Sequence, residues 1–254
     1  MEKLNAMTGW MWVKEGGRLF RKQPAELLTL FFAYMFLSMG VTLIPVVGDY
    51  LPLVLIPVFS MAFMQACRQI EQEKRVYPNL LLTGFRSPAF GSLLLLGLLY
   101  LAAAGIAVLA SSLVDGGEFL SFVVGQKPVD AQNIKDGVLL PGMLVTNLLY
   151  LAAILGLWYA APLIAWKRMP VGKAIFYSFF AVKNAGKAFT LYSLVWFLLI
   201  MVIAMISVII ALIIGQAIVV VLIVVPASVV LTVIIYTSFY PTYVEIFGRP
   251  DEQA

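Results

Sequence analysis

Long apolar stretches alternate with short polar segments along this chain of 254 residues. A helix needs about 20 apolar residues to cross the hydrocarbon core of a bilayer. Six stretches meet that length if the last long run is divided at a turn at Gly215-Gln216. We therefore predict six membrane-spanning helices, at residues 25–47, 50–70, 89–112, 139–166, 189–213 and 217–243.

The composition indicates that lipid rather than water surrounds most of the chain. Apolar residues make up 62% of the sequence and charged residues 12%, whereas about 25% of the residues of a soluble domain are charged. So few ionised side chains cannot cover a surface that faces water. We interpret residues 1–254 as one all-α, polytopic membrane domain. Residues 1–22 lack the apolar core of a signal peptide, so we expect the first span to remain as an anchor.

Basic residues are distributed unequally between the two sides of the predicted membrane domain. Of the 17 lysines and arginines, all but Lys127 and Lys135 fall in the N-terminal arm, in the segments after spans two and four, and in the C-terminal tail. Lys127 and Lys135 belong to a long loop at residues 113–138. Because cytoplasmic segments carry the excess of basic residues, we predict that both termini are cytoplasmic and that this loop lies outside.

Two reporter fusions test this orientation. A reporter fused after Ala254 is expected to be active in the cytoplasm, and one inserted beside Gly125 is expected to be active only outside, because the basic segments are retained on the cytoplasmic side. The measurement is the activity of a cytoplasmic fluorescent reporter and of an exported phosphatase at each position. The reverse pattern would contradict the orientation.

Each pair of predicted spans follows a segment with aromatic and basic residues. The chain therefore resembles three hairpins, each preceded by a cytoplasmic amphipathic segment, at residues 10–22, 77–87 and 171–187. Pro24 and Pro88 follow the first two segments and suit the first turn of a helix. Two explanations fit this pattern. The first is a threefold internal repeat. The second is that any hairpin protein with this orientation carries basic flanks in register with its spans.

The first of these segments has the clearest helical amphipathicity. On a helical wheel it divides into an aromatic side and a basic side. The aromatic side is formed by Trp10, Val13, Gly17 and Phe20, and the basic side by Lys14, Arg18 and Arg21. We predict that the helix lies at the membrane surface with its basic side toward anionic headgroups. The predicted lipid-interface residues are Trp10, Lys14, Arg18, Phe20 and Arg21. A topological anchor, a lipid sensor and a docking site for a partner all fit such a helix.

The centres of the predicted spans carry no ionisable residue. Ionisable residues inside a membrane mark ion and proton paths, so their absence argues against such a path. Neutral polar residues remain, and we expect Asn147 above all to bond to a neighbouring helix. Prolines in and around the spans predict kinks, which line substrate sites in many transporters but also serve helix packing.

Candidate catalytic chemistry is sparse. The chain has no histidine and a single cysteine, Cys67, which excludes an internal disulfide and the commonest general base. No phosphate-binding loop, dinucleotide fingerprint, nucleophile elbow or zinc motif is present. The carboxylates of the 113–138 loop match no calcium-binding pattern. We therefore expect no catalytic residue, no cofactor and no metal, and a net charge of +4 gives no reason to expect a nucleic-acid partner.

Several short stretches carry a resemblance to a known group of proteins. They are the stretch from Gly9-Trp10 through Phe20-Arg21, Leu43-Ile44-Pro45 with Gly48, Pro57-Val58-Phe59 leading to Ala66-Cys67-Arg68, residues 94–100, Ser178-Phe179-Phe180-Ala181 and Lys187-Ala188-Phe189. Together they resemble uncharacterised six-span inner-membrane proteins of proteobacteria, over most of the chain except the 113–138 loop. The resemblance implies a bacterial inner membrane and six spans. It implies no activity, ligand or catalytic residue.

Two hypotheses of function remain open from the sequence. The first is a non-catalytic scaffold or accessory subunit, with a membrane-protein partner or a second copy of the chain bound in a bilayer of anionic lipids. The second is a transporter or exporter of a lipid or apolar small solute, because that activity requires no buried charge. An enzyme is not expected.

Overall fold

The computed structural model describes residues 4–126, 137–214 and 216–250. Within these ranges the chain is helical and contains no β-strand. The helices described are α1 (Met7–Lys22), α2 (Pro24–Thr42), α3 (Leu51–Glu71), α4 (Thr83–Arg86), α5 (Phe90–Asp115), α6 (Glu118–Val123), α7 (Leu140–Leu157), α8 (Ala160–Lys167), α9 (Val171–Asn184), α10 (Gly186–Ile214), α11 (Gln216–Val219) and α12 (Val225–Phe247). A 3₁₀ helix at Pro78–Leu82 precedes α4, and a π-helical turn at Val220–Val224 precedes α12.

Six helical segments of the described chain are long and apolar enough to cross a membrane, which confirms the predicted number. Spans one to six are Pro24–Thr42, Leu51–Glu71, Phe90–Asp115, Leu140–Lys167, Gly186–Ile213 and Val220–Phe247. Gly215 of the predicted last turn lies outside the described residues, and Gln216 begins α11. Most of the predicted outer loop, with Lys127, Asp130, Lys135 and Asp136, also lies outside them.

Span four is predicted as one helix but consists of two, α7 and α8. Pro162 lies one turn after the break and has no backbone N–H, so the helical bonding cannot continue through it. The N–H of Tyr159 is donated instead to the Ser178 hydroxyl of α9 at 2.8 Å. The Tyr100 hydroxyl of α5 donates to the Leu157 carbonyl at 3.3 Å. Two neighbouring helices thus satisfy the backbone groups at the break.

One side of the molecule, called the basic side below, brings together helix ends that are distant in sequence. The Gln23 amide donates to the Lys74 carbonyl at 2.8 Å and accepts from the Val76 N–H at 2.9 Å. The Lys167 ammonium donates to the Phe247 carbonyl at 2.9 Å. The start of span one and the ends of spans two, four and six therefore lie on the same side.

The packed core lies toward this basic side. The largest fully buried side chains are Leu27, Leu30, Met61, Met64, Ile70, Leu93, Leu96, Tyr159, Leu163, Ile164, Tyr240 and Tyr243. Toward the opposite side, large apolar side chains of spans one and five are exposed, including Phe36, Met39, Leu212 and Ile213. Lipid can cover such surfaces because a helix satisfies its own backbone groups.

Span two, α3, is the central helix of this core and contacts α1, α2, α4, α5, α8 and α12. Two glycines allow its neighbours to approach its backbone. A Cβ atom at Gly97 of α5 would lie 1.8 Å from the Val54 carbonyl oxygen, and one at Gly84 of α4 would lie 2.3 Å from the Val58 carbonyl oxygen. Both distances are far below contact, so these two positions require glycine for the observed packing.

Candidate functional site

The N-terminal helix α1 lies against both α10 and α12, the fifth and sixth spans, at the basic side. Gly9 faces Ala188 and Tyr192 of α10, and Gly16 faces Ser238 of α12. The two glycines are seven residues apart, which is nearly two helical turns, so they share one face of α1. This glycine face lets the backbone of α1 approach both spans closely.

Side-chain contacts hold α1 in this position. The Thr237 hydroxyl donates to the Gly16 carbonyl at 3.0 Å. The Trp12 ring meets Phe189 and Tyr192 edge to face, with centroid distances of 5.3 and 6.0 Å. Each such aromatic pair contributes about 0.5–1.5 kcal/mol beyond the area it buries. The helix is therefore part of the protein core on this side.

Four of the five predicted lipid-interface residues lie away from the buried face of α1, and the fifth, Phe20, packs against the core. Lys14, Arg18 and Arg21 are exposed, Trp10 is exposed, and Phe20 is half-buried. The face that is buried consists of Gly9, Trp12, Val13, Gly16 and Leu19. Of the aromatic side drawn on the helical wheel, only Val13 belongs to it. Contact of the exposed residues with lipid headgroups stays a prediction.

A polar cluster links α3, α12 and the C-terminal segment at the basic side. Glu71 accepts from the Tyr240 hydroxyl at 2.8 Å and pairs with Arg249 at 3.1 Å. The hydrogen bond to Glu71, and the charge of that carboxylate, raise the pKa of Arg249. Arg75 pairs with Glu26 at 3.1 Å. Ion pairs open to water contribute little to stability, so these pairs mainly fix where the helix ends lie.

Most neutral polar side chains of the spans bond to backbone carbonyls, and Ser38 and Gln65 are exceptions among the described residues. Asn147 donates to the Met143 carbonyl of its own helix at 2.8 Å, so the predicted bond to a neighbouring helix is wrong. Its side chain is exposed, and the carbonyl one turn earlier is the acceptor within reach. The adjacent Thr146 does join two spans, because its hydroxyl donates to the Ala107 carbonyl of α5 at 3.3 Å.

Three cavities bordered by described residues are candidate binding sites. The first, of about 250 Å³, lies between α1, α3 and α12 and has the carboxylates of Glu15, Glu71 and Glu245 at its border. The second, of about 270 Å³, lies between α3, α4 and the end of α8, and Arg168 is the only charged residue among the described ones that border it. The third, of about 430 Å³, lies on the opposite side, where Gln216 borders it.

A metal-binding group is not assembled in the part of the chain that the structure describes. No group of three or more histidine, cysteine, aspartate or glutamate residues there could hold a metal ion. Cys67 is buried, and its thiol donates to the Thr237 carbonyl at 3.8 Å. The expectations of no catalysis, no cofactor and no metal stay predictions.

Sequence reasoning missed the residues that place α1 and the residues that border the cavities. Gly9, Trp12, Gly16 and Leu19 are spaced three or four residues apart, so they form one stripe along a helix. Such a stripe is a signal of helix contact that the sequence did contain. Glu71 and Arg168 gave no comparable signal. Their partners and neighbours are distant in sequence, and each residue resembles any charged residue at the end of a span.

A comparison with known proteins assigns the chain to a family. It is 36% identical to a probable inner membrane protein of Burkholderia thailandensis over 256 residues, which cover 97% of this chain and 93% of the relative. No family model matches the chain, and no solved structure matches it. The extent of the similarity and the six apolar helices lead to the same conclusion. The chain is an inner-membrane protein and belongs to the family of this Burkholderia protein.

Proposed function

We propose that the protein is a non-catalytic scaffold or accessory subunit of the inner membrane, with its basic side in the cytoplasm. Its partner in this proposal is a second membrane protein, bound through apolar spans. The exposed Lys14, Arg18 and Arg21 of α1 would face the anionic headgroups of the cytoplasmic leaflet.

The observation that carries this proposal is the surface of span five. From Phe197 to Ile213 nearly every large apolar side chain of α10 is exposed. At the basic side, by contrast, Tyr192 and Trp196 of the same helix are buried. Helices associate in lipid through van der Waals packing of such surfaces. Span five therefore presents two or more helical turns of packing surface that the described chain does not use.

The polar groups of the spans favour a packing role over a transport path. Ser60 donates to the Pro57 carbonyl at 2.8 Å, Thr146 to α5, and Asn147 to its own helix. None of these three residues borders the three cavities described above. A path for a polar solute would instead need polar groups that are free to contact the solute.

Photo-crosslinking from two adjacent aromatic positions tests the scaffold proposal. A photoreactive phenylalanine analogue replaces Phe197, whose side chain is 59% exposed, or Trp196, whose side chain is 6% exposed and serves as the matched control. We expect illumination of cells to give one discrete heavier protein band from position 197 and none from position 196. A band of twice the mass of the chain would identify a second copy as the partner.

A third position extends the same experiment toward the opposite side of the membrane. Leu212 is 84% exposed, and it is expected to crosslink if the partner covers the whole length of span five. The scaffold proposal fails if positions 197 and 212 both yield only lipid adducts while the protein is present at normal abundance.

A transporter of lipid or an apolar small solute is the second candidate function. The cavity of about 430 Å³ favours it, because its border is apolar except for Ser207 and Gln216 and it lies beside the π-helical turn at Val220–Val224. Such turns occur frequently at functional sites. A strictly monomeric protein that moves fluorescent phospholipid across reconstituted liposomes would support this candidate and would contradict the scaffold.

A further inference from the structure

We propose that the second cavity, between α3, α4 and the end of α8, binds a phosphate group. This inference goes beyond the scaffold proposal and does not rest on it. The cavity has a volume of about 270 Å³ and lies at the basic side, next to the ends of spans two and four. A phosphate group reaches this place either on a lipid headgroup or as a free ion, and the two sources present the same oxygen atoms.

Arg168 supplies the charge of the site. It borders the cavity, is exposed, and its side chain makes no hydrogen bond or ion pair with the described residues. Its guanidinium presents a planar fork of donors that matches two phosphate oxygens. Arg168 also ends α8 in the left-handed backbone region, with φ of 49°. Glycine or asparagine is the usual residue in that conformation, so helix capping does not account for an arginine here.

Three neutral side chains complete the polar wall. Gln65 of α3 and Thr83 of α4 border the cavity and make no side-chain hydrogen bond with the described residues. Ser87 accepts from the Ala89 N–H at 3.1 Å, which leaves its hydroxyl hydrogen available to donate. The residues that border this one space thus carry an amide, two hydroxyls and a guanidinium, and all of these groups can donate to an anion.

The sign of the charge distinguishes this cavity from its neighbour. Among the described residues, no carboxylate borders the Arg168 cavity. The cavity beside α1, in contrast, has Glu15, Glu71 and Glu245 at its border. The first turn of α5, with Ala89 just before it, adds the positive end of a long helix to the Arg168 cavity. An anion is therefore favoured at Arg168 and disfavoured beside α1.

Ligand-dependent thermal unfolding tests the site. The purified full-length protein in a neutral detergent is titrated separately with phosphatidylglycerol and with inorganic phosphate, and the apparent Kd follows from the rise of the unfolding midpoint. We expect Arg168→Gln and Gln65→Leu each to weaken binding, by about tenfold for the arginine, because a charge-assisted hydrogen bond is lost. Arg168→Lys keeps the charge without the planar fork and is expected to fall between wild type and Arg168→Gln.

Arg86→Gln is the matched control. Arg86 is the last residue of α4, is exposed, and does not border the cavity. Arg86→Gln removes one positive charge, as Arg168→Gln does, and is expected to leave the apparent Kd unchanged. Stabilisation by phosphatidylglycerol alone identifies a lipid headgroup, and equal stabilisation by inorganic phosphate identifies the free ion. The proposal is overturned if neither probe stabilises the wild type, or if Arg86→Gln weakens binding as much as Arg168→Gln. If Arg168→Gln does not fold, Arg168→Lys and Gln65→Leu decide the outcome by the same comparison.

Discussion

Alanine in place of Gly16 is expected to lower the free energy of unfolding by about 2 kcal/mol or more, although it adds a single methyl group. That Cβ atom would lie 2.4 to 2.7 Å from the Cβ, Cα and backbone nitrogen of Ser238. These are atoms of a packed helix and cannot rotate away. We therefore expect α1 to be displaced from α12, with loss of the bond from the Thr237 hydroxyl to the Gly16 carbonyl.

Reversible unfolding in mixed detergent micelles measures this loss, and hydrogen exchange of the α1 amides locates it. Gly17→Ala is the matched control on the same helix, because a Cβ atom there meets no atom within 4 Å. Alanine is the better helix former by about 0.8–1 kcal/mol, so Gly17→Ala is expected to be neutral or stabilising. Equal destabilisation by the two substitutions would show that α1 does not lie in the described position.

The number of spans could be predicted from the sequence because the physical signal is strong. A chain inside lipid must satisfy its backbone groups within each helix, so every crossing needs a long apolar stretch, and six such stretches were predicted and found. Breaks within a stretch are weaker signals. Pro162 indicated a kink in span four, but the position of the break depends on Ser178 and Tyr100, which belong to other helices.

The position of α1 could not be predicted from amphipathicity. A helical wheel separates Lys14, Arg18 and Arg21 from the apolar residues, but it does not say whether lipid or protein covers the apolar face, because both are equally apolar. The wheel also gave weight to Trp10, which is exposed, rather than to Gly9 and Gly16. Close helix contacts depend on small residues, and hydrophobicity does not detect them.

The sites on the basic side depend on contacts over long sequence separations. Glu71 meets Tyr240 and Arg249, and the Arg168 cavity combines Gln65 with residues near the start of α5. A single sequence contains no signal that pairs such positions. The polar groups that meet at these sites could be identified only from the folded structure, in which the packing of the core determines which helix ends are neighbours.

Alanine in place of Gly97 is expected to have the largest effect of any single methyl addition considered, about 3 kcal/mol or more. Its Cβ atom would lie 1.8 Å from the Val54 carbonyl oxygen and 2.6 Å from the carbonyl carbon. Neither atom can move without moving α3, which contacts six other α-helices of the core. The change therefore forces α5 away from α3, and the contacts of the fully buried Leu93 and Leu96 are expected to be lost with it.

Gly105→Ala is the control for Gly97→Ala, because both glycines lie in α5 and a Cβ atom at Gly105 meets nothing within 4 Å. Its unfolding free energy is expected to stay within about 1 kcal/mol of wild type. The same pair of variants connects the core with the Arg168 cavity, since that cavity is bordered by α3 and by the residues just before α5. A displaced α5 should therefore weaken phosphate binding in Gly97→Ala and leave it intact in Gly105→Ala. Wild-type stability of Gly97→Ala would mean that spans two and three do not cross at Val54, and the described core would then be wrong at its centre.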